Sequence, residues 1–211
     1  MNPALQSHAT LALCRLAPVI PVLVIHDIAH ARPLAEALVA GGLPVLEVTL
    51  RTPCALDAIE AMAAVPGAQV GAGTVLSAHD AARARAAGAG FAVSPGATDT
   101  LIAACAAQGL PLLPGAATAT EVMALLEKGY RTMKFFPAGP AGGPAMLKAL
   151  GGPLPQVTFC PTGGVSPGNA AEYLSLSNVA CVGGSWVAPA EAMASGDWAL
   201  IEALAREAAA L

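Results

Sequence analysis

Eight short apolar runs alternate with alanine-rich helical segments, and this alternation most constrains how the chain folds. Each run has strand length, and glycines end several of the segments between runs. The repeat of roughly 22–25 residues is close to the minimum for a strand, a helix and two short loops. The predicted strands are Val19–Ile25, Pro44–Leu50, Gln69–Gly73, Phe91–Val93, Leu110–Pro114, Thr132–Phe135, Gln156–Cys160 and Val179–Val182.

Strict alternation of eight units predicts an α/β fold, specifically a closed parallel (β/α)8 TIM barrel. The alternative is an open doubly wound sheet, which seldom needs eight strands and usually carries a GxGxxG motif after its first strand. Here His26 and Asp27 follow that strand instead. We therefore expect one domain over 1–211, with an extra N-terminal helix (1–17), the barrel (18–195) and a C-terminal helix (196–211). The expected apolar positions of the N-terminal helix are Leu5, Leu11, Leu13 and Leu16.

Composition excludes several classes of protein. Hydrophobic residues make up 55% of the 211 residues and charged residues 11%, which excludes a disordered chain. A net charge of −4 with scattered basic residues argues against a nucleic-acid partner. The longest apolar run, Pro18–Ile25, is too short to cross a bilayer, so no membrane partner is expected. The N-terminus lacks the pattern of a signal peptide.

The five cysteines show neither a CxxC pair nor a Cys/His metal spacing. Cys160 and Cys181 lie in apolar, strand-like runs, which suits buried and reduced thiols. We therefore expect a cytoplasmic protein whose cysteines serve core packing. No group of histidines and carboxylates has metal-ligand spacing either, so neither a metal nor a cofactor is expected.

Lys134 is the candidate nucleophile, because it is the one lysine that lies inside a predicted strand. In a closed barrel that strand faces the axis on one side and helices on the other, so neither side offers bulk water. Burial disfavours the ammonium form, and a neutral amine can attack a carbonyl carbon. The alternative is a buried structural ion pair. Lys128 is expected at the end of a helix, and Lys148 is expected on a helix face that is exposed to solvent.

Glu47 is the candidate proton shuttle. With a period of two, Val45, Glu47, Thr49 and Arg51 share the face of the second predicted strand that points into the barrel or its mouth. When a lysine and a carboxylate lie in one small barrel, the lysine can act as the nucleophile and the carboxylate as the general acid/base. The alternative is that Glu47 only neutralises Arg51 or Lys134. Arg51, at the strand end, can hold a carboxylate in bidentate fashion or form a rim salt bridge.

Two glycine-rich turns follow the seventh and eighth predicted strands, at 160–165 and 183–186. Glycine lets backbone N–H groups approach an anion, and the phosphate site of this fold commonly lies after these strands. The pair therefore predicts a phosphate site. Turns at 71–74 and 94–98 line the mouth, although helix capping explains Ser77 and Thr98 as well. His26, after the first strand, is a further candidate substrate contact.

Six motifs together resemble one family. They are Glu-Val-Thr-Leu-Arg-Thr (47–52), Gly-Ala-Gly-Thr-Val-Leu (71–76), Ser-Pro-Gly-Ala-Thr (94–98), Met-Lys-Phe-Phe-Pro-Ala (133–138), Cys-Pro-Thr-Gly-Gly-Val (160–165) and Gly-Gly-Ser-Trp (183–186). In order and spacing they are similar to the bacterial 2-keto-3-deoxy-6-phosphogluconate (KDPG) aldolases, the class I aldolases of the Entner–Doudoroff pathway. The resemblance runs from about Val19 to the C-terminus.

The resemblance implies a metal-free, homotrimeric (β/α)8 barrel that cleaves KDPG to pyruvate and glyceraldehyde 3-phosphate. By position, Lys134 matches the Schiff-base lysine and Glu47 the general acid/base. The residues matching the pyruvate site are Arg51, Thr74 and Pro95, with Phe136 packed over it. Those matching the site of the distal hydroxyls and the phosphate are Thr162, Gly163, Gly164, Gly184 and Ser185.

The resemblance also implies weaker cleavage of 4-hydroxy-2-oxoglutarate and decarboxylation of oxaloacetate, since both suit the same iminium intermediate. Two alternatives stay open at this point: an aldolase for the galactonate epimer, and a non-catalytic phosphosugar-binding barrel. The stretch His26-Asp27-Ile28 departs from the lysine-rich loop of some relatives, which leaves the role of His26 open.

Overall fold

The computed structural model describes all 211 residues and shows parallel strands that alternate with helices. The strands are β1 (Val19–Leu23), β2 (Val45–Thr49), β3 (Gln69–Gly73), β4 (Phe91–Val93), β5 (Leu112–Leu113), β6 (Gly115–Ala116), β7 (Thr132–Phe135), β8 (Thr158–Pro161) and β9 (Val182–Gly184). The helices are α1 (Pro3–Cys14), α2 (Ala31–Ala40), α3 (Ala55–Ala63), α4 (Ala78–Ala86), α5 (Asp99–Ala107), α6 (Ala119–Glu127), α7 (Gly143–Gly151), α8 (Pro167–Leu174), α9 (Ala190–Ser195) and α10 (Trp198–Ala209), with a 3-10 helix over Ile28–His30.

The strands form two parallel sheets. Six of them, in the order β5-β4-β3-β2-β1-β9, form a sheet curled into a half-barrel, and β6-β7-β8 form a second sheet. Isolated parallel bridges join Phe159 to Val179 and Thr162 to Gly183, between the β8 and β9 segments. The prediction of an α/β fold is confirmed. The prediction of eight strands in one closed sheet is met only in part, because hydrogen bonding assigns the strands to two sheets.

Pro114 divides the fifth predicted strand, Leu110–Pro114, into β5 and β6. Proline has no N–H to donate to a sheet, so the hydrogen-bond ladder breaks there. Its carbonyl still accepts a 2.9 Å bond from the N–H of Lys134. The eighth predicted strand, Val179–Val182, corresponds to β9. In the structure β9 begins only at Val182 and continues to Gly184.

Two apolar layers lie on opposite faces of the strands. Leu46 and Val48 belong to a cluster of 50 buried residues that includes the inner faces of the helices. Val45 belongs to a separate cluster of 8 buried residues contributed mainly by several strands. Alternation along β2 is therefore as predicted: the face that carries Val45 points away from the helices, and Glu47 shares that face.

The N-terminal helix is present, but its expected apolar face is wrong. Leu5 and Leu16 are 59% and 53% exposed, whereas Gln6 and Ser7 are buried. The side-chain amide oxygen of Gln6 accepts hydrogen bonds from the backbone N–H of Leu112 (3.1 Å) and from the Tyr130 hydroxyl (2.9 Å). The Ser7 hydroxyl accepts from the N–H groups of Arg131 and Thr132, both at 2.8 Å. Buried N–H groups at strand starts need acceptors, and polar side chains of α1 supply them.

Side-chain caps start several helices. The Ser77 hydroxyl accepts from the N–H of Asp80, and the Thr98 hydroxyl from the N–H of Leu101. The helix-capping interpretation of Ser77 and Thr98 is confirmed. None of the helices combines the length and the apolarity that crossing a bilayer requires.

Candidate active site

Lys134 and Glu47 form a buried ion pair. Lys134 lies on β7 and Glu47 on β2, and their exposed fractions are 5% and 3%. The Lys134 Nζ donates to Glu47 Oε1 at 3.0 Å and lies 3.4 Å from Oε2. The structure therefore brings together the two residues that the sequence singled out for nucleophile and proton shuttle. The arrangement holds an amine within proton-transfer distance of a carboxylate, shielded from bulk water.

Gly73 makes room for the Glu47 carboxylate, a role that sequence reasoning missed. Glu47 pairs in register with Gly71 on β3, and Gly73 lies two residues further along the same strand. A Cβ on Gly73 would overlap the Glu47 carboxylate, with its Cδ only 2.9 Å away. A glycine inside a strand often marks a site where another group approaches the backbone closely. The glycine at position 73 was therefore the sequence signal that could have indicated this contact.

Phe136 covers the amine. Its ring centroid lies 5.4 Å from the Lys134 Nζ, within the range of a cation–π contact. The half-buried ring also borders the turn after β8, because a Cβ on Gly163 would lie 3.2 Å from Phe136 Cε2. Phe136 therefore separates the ion pair from the first glycine turn.

Arg51 and Thr74 are joined at the ends of β2 and β3. The exposed Arg51 donates from Nε to the Thr74 hydroxyl at 3.1 Å. Thr74 has a φ of +59°, the one non-glycine residue with positive φ. A β-branched residue rarely adopts this conformation, and such strain clusters at functional sites. The hydrogen bond holds the guanidinium with its two terminal nitrogens free to meet an anion.

Pro95 lies after β4, at the boundary with the second sheet. A Cβ on Gly115 would overlap the Pro95 carbonyl, so the turn at 94–98 packs directly on β6. Ser94 is buried and its hydroxyl hydrogen-bonds to the Gly96 carbonyl. The structure thus places Pro95 at the carboxyl ends of the strands, and Gly115 is a neighbour that the sequence did not indicate.

The two glycine turns contact each other. Thr162 is buried, its N–H donates to Phe135 at 2.9 Å, and a Cβ on Gly183 would overlap its side chain. Gly163 and Gly164 have φ values of +92° and +81°, which L side chains rarely adopt. Gly184 is buried, and a Cβ on it would overlap the Trp186 ring.

Ser185 is exposed, and it lines a cavity of about 310 Å³ that His26, Met193 and six other residues also line. No arginine or lysine lines that cavity, so anion binding there would depend on N–H and hydroxyl donors. His26 is thereby placed beside the turn after β9.

Three of the cysteines meet, which their sequence spacing did not indicate. The Sγ atoms of Cys14, Cys160 and Cys181 all lie within 4.8 Å of one another, and all three residues are buried. The Cys14 and Cys181 thiols, with Lys134, lower the pKa of Cys160 well below the usual range of a thiol. The interaction with Cys160 correspondingly raises the pKa of Cys14.

The remaining cysteines lie apart from this group. Burial raises the pKa of Cys105 to about 11. The half-buried Cys54 donates to the Ile25 carbonyl at 3.1 Å.

Comparison with known proteins identifies relatives along almost the whole chain. The 2-dehydro-3-deoxy-phosphogluconate aldolase of Pseudoalteromonas atlantica is 55% identical over 194 residues, which cover 92% of this chain and 90% of the relative. The solved KDPG aldolase of Zymomonas mobilis ZM4 with 3-phosphoglycerate has 56% identity and a TM-score of 0.90, with 94% of each chain covered.

A second solved structure is also similar over almost the whole chain. It is the KDPG aldolase of Legionella pneumophila with pyruvate captured at low pH as a covalent carbinolamine intermediate. Identity is 50% and the TM-score 0.92, with 94% of this chain and 97% of that chain covered. The family model described as KDPG and KHG aldolase matches residues 11–204. This chain therefore belongs to the KDPG and KHG aldolase family.

Proposed function

We propose that the protein is a class I aldolase that cleaves KDPG to pyruvate and glyceraldehyde 3-phosphate through a Schiff base on Lys134. The buried Lys134–Glu47 pair, at 3.0 Å, carries this proposal. The Legionella relative forms a covalent carbinolamine with pyruvate, which supports attack by an amine on the C2 ketone.

Glu47 prepares the nucleophile. The Lys134 ammonium gives a proton to the Glu47 carboxylate 3.0 Å away, which leaves a neutral amine. The neutral amine attacks C2 and forms a C–N bond, the C=O π electrons move to the ketone oxygen, and that oxygen takes a proton given up by the attacking nitrogen. Glu47, now a carboxylic acid, returns its proton to the carbinolamine hydroxyl, which leaves as water. The product is a protonated imine.

Cleavage uses that imine as an electron sink. Glu47 takes the proton from the C4 hydroxyl, the bond between C3 and C4 breaks, and its electron pair forms an enamine. Glyceraldehyde 3-phosphate leaves as the aldehyde. Protonation of the enamine carbon and hydrolysis of the imine release pyruvate and restore Lys134. The protein itself supplies the electrophile, and no metal or cofactor enters this sequence.

The pyruvate end of the substrate lies at Arg51, Thr74, Pro95 and Phe136. The Arg51–Thr74 hydrogen bond of 3.1 Å orients the guanidinium toward the substrate carboxylate. Phe136 packs against the amine and excludes water from the imine. Pro95 closes the side of the site formed by the β4 turn.

The phosphate end lies at the two glycine turns. The conformations of Gly163 and Gly164 leave their N–H groups free of crowding by side chains, an arrangement suited to an anion. Thr162 and Gly184 position these turns against each other, and the exposed Ser185 supplies a hydroxyl.

At the level of architecture, we propose that the two sheets close into one eight-stranded barrel within a single domain. The bridge between Thr162 and Gly183 and the continuity of β5 into β6 through Pro114 support closure at both seams. A homotrimer in the cytoplasm completes the proposal. The free cysteines and the exposed Leu76 and Met123 are consistent with it. Sedimentation should give three times 20.8 kDa, and a monomer at micromolar concentration would contradict the trimer.

Trapping tests the chemistry directly. Borohydride added with pyruvate should convert Lys134 to N-(1-carboxyethyl)lysine, detected by peptide mass spectrometry, and Lys134→Ala should release no pyruvate from KDPG. Lys148→Ala, on an exposed helix face, is the matched control and should behave as wild type. An adduct absent from Lys134 would overturn the mechanism and favour a non-catalytic binding barrel.

The choice between epimers is tested separately. Initial rates with KDPG and with its galactonate epimer, coupled to lactate dehydrogenase, should favour KDPG. A preference for the galactonate epimer would overturn the substrate while leaving the Schiff base intact. The same assay should detect weaker activity on 4-hydroxy-2-oxoglutarate and, as decarboxylation, on oxaloacetate.

A further inference from the structure

A group of three buried thiols takes no part in the chemistry proposed above. Cys14 ends α1, Cys160 lies on β8 and Cys181 immediately precedes β9. Three separate segments of the chain thus bring their sulfur atoms within 4.8 Å of one another. Cys160 also lies opposite Lys134 in the register of β7 and β8.

The spacing of the sulfur atoms suits one shared metal ion. At a metal–sulfur distance of about 2.3 Å, three sulfurs around one ion lie about 4 Å apart. The observed limit of 4.8 Å reaches that spacing through small side-chain rotations.

The surroundings decide which ion is favoured. Five apolar side chains pack in one cluster with the three cysteines, namely Ile20, Val45, Phe91, Val93 and Leu113, and Lys134 lies opposite Cys160 in the β7–β8 pair. The Thr162 hydroxyl is the side-chain oxygen that hydrogen-bonds to the group, at 4.0 Å from the Cys160 sulfur, and the potential metal ligands that meet here are the three soft sulfur atoms. Zinc takes four ligands in structural sites, whereas thiolates select soft ions such as Cu(I), which is stable with three.

We propose that Cys14, Cys160 and Cys181 form a buried three-thiolate site for a thiophilic monovalent ion, with Cu(I) as the ion of best fit. Binding joins Cu⁺ to three thiols, forms three Cu–S bonds and releases three protons to solvent, with no change in oxidation state. The resulting complex is a dianion, and Lys134, opposite Cys160, places a positive charge near it.

Cys14 controls access to the site. It is the last residue of α1, and that helix is attached through polar contacts of Gln6 and Ser7 at the starts of β5 and β7. Cys14 moves with the end of α1, whereas Cys160 lies on β8 and Cys181 directly precedes β9, so displacement of this helix end would open the group while the sheets stay folded. We therefore expect slow loading of the native protein and faster loading when the chain refolds with Cu(I) present.

Competition with a coloured chelator tests the site. Reduced full-length protein is titrated under nitrogen against the Cu(I)–bicinchoninate complex, and loss of its colour measures the Cu(I) withdrawn. One equivalent per chain is expected, both after prolonged incubation and after refolding with Cu(I). Cys14→Ser should lower the affinity by a factor of roughly 100 or more, because a hard hydroxyl replaces one soft thiolate.

Matched variants and a direct structural signal complete the test. Cys54→Ser and Cys105→Ala, whose thiols lie outside the group, should keep wild-type affinity. X-ray absorption at the copper edge of the wild type should show three sulfur scatterers, a signal that does not depend on any variant folding. The proposal is overturned if neither route of loading withdraws copper, if Cys14→Ser binds as wild type, or if nitrogen or oxygen surrounds the ion.

Discussion

Gly73 and Glu47 occupy adjoining space across the β2–β3 pair, so closely that a Cβ on residue 73 would overlap the carboxylate. The position of the acid/base group therefore depends on the absence of a side chain on the neighbouring strand. Glu47 cannot keep its contact with Lys134 if that space is filled.

Gly73→Ala should lower kcat by on the order of 100-fold, the lower end of what general acid–base catalysis contributes. The methyl group displaces the carboxylate while Lys134 stays in place. Borohydride trapping of pyruvate should consequently become slower but still occur on Lys134. Gly96→Ala is the control, because a Cβ there meets nothing within 4 Å. Equal kinetics for the two variants would show that Gly73 does not position Glu47.

The buried pair should be strongly coupled in stability. Lys134→Met and Glu47→Leu each leave one charge buried without a partner, which costs about 3–5 kcal/mol. The double variant removes both charges and should be far more stable than the sum of the two losses predicts. Urea unfolding of the four proteins measures the coupling. Additive losses would mean that the two groups do not stabilise each other.

Thr74→Gly should separate stability from activity. Relief of the positive φ gains roughly 1–2 kcal/mol, and the backbone entropy of glycine removes roughly 0.5–1 of that. The melting temperature should therefore stay level or rise. KM for KDPG should increase, because Arg51 loses the hydroxyl that orients it. A lower melting temperature with unchanged KM would contradict both expectations.

Ser185→Ala should weaken only the phosphorylated substrate. Loss of one hydrogen bond to a charged group costs about 1.5–3 kcal/mol, which corresponds to roughly a ten- to hundred-fold lower kcat/KM for KDPG. Activity on 4-hydroxy-2-oxoglutarate should hardly change, since that shorter substrate does not reach the turn. Gly184→Val is a poor probe here, because even a Cβ would overlap the Trp186 ring. If Ser185→Ala weakens both substrates equally, the serine serves the fold and not the phosphate.

Glu121 should make the start of α6 sensitive to acid. Its carboxylate accepts from the N–H groups of Ala117 and Thr118, and the bond from Ala117 above all lowers its pKa below the ordinary 4.5. A group whose pKa falls on folding stabilises the protein above its unfolded pKa, and that contribution disappears as pH drops through the folded value.

The matched variants make this prediction measurable. Glu121→Ala should destabilise by at most roughly 1 kcal/mol at pH 7 and by progressively less as the pH falls below 4.5. Glu121→Gln should keep part of the capping without the acid dependence. Urea unfolding at pH 7 and at a series of lower pH values compares them, and a difference between wild type and Glu121→Ala that does not shrink as the pH falls would contradict the argument.

The sequence predicts most strand positions because a short apolar run between two alanine-rich helical segments is a local property of the chain. Burial of Lys134 and Glu47 followed from the strands that carry them. The split at Pro114 was readable too, since proline lacks the N–H that a strand continuing through it needs. The regular pattern of eight strand–helix units nevertheless favoured one unbroken strand over Leu110–Pro114.

Other features depend on contacts between distant segments and leave no local trace. Gly73 and Gly115 are needed because Glu47 and Pro95 approach them closely in the folded protein. Those neighbours are distant in the sequence, so the need for glycine cannot be recognised locally. The meeting of Cys14 with Cys160 joins positions almost 150 residues apart. The buried face of α1 was predicted wrongly because its partners are backbone N–H groups, and these carry no signature in the amino-acid sequence.

That polar face has a consequence for the geometry of the helix. A helix that sits on an apolar surface tolerates rotation about its own axis, because the hydrophobic effect has no direction. Hydrogen bonds are directional, and those to Gln6 and Ser7 leave α1 one angular setting. That setting turns Cys14 inward and Leu5 outward, so two polar side chains determine which residue of the helix faces the interior.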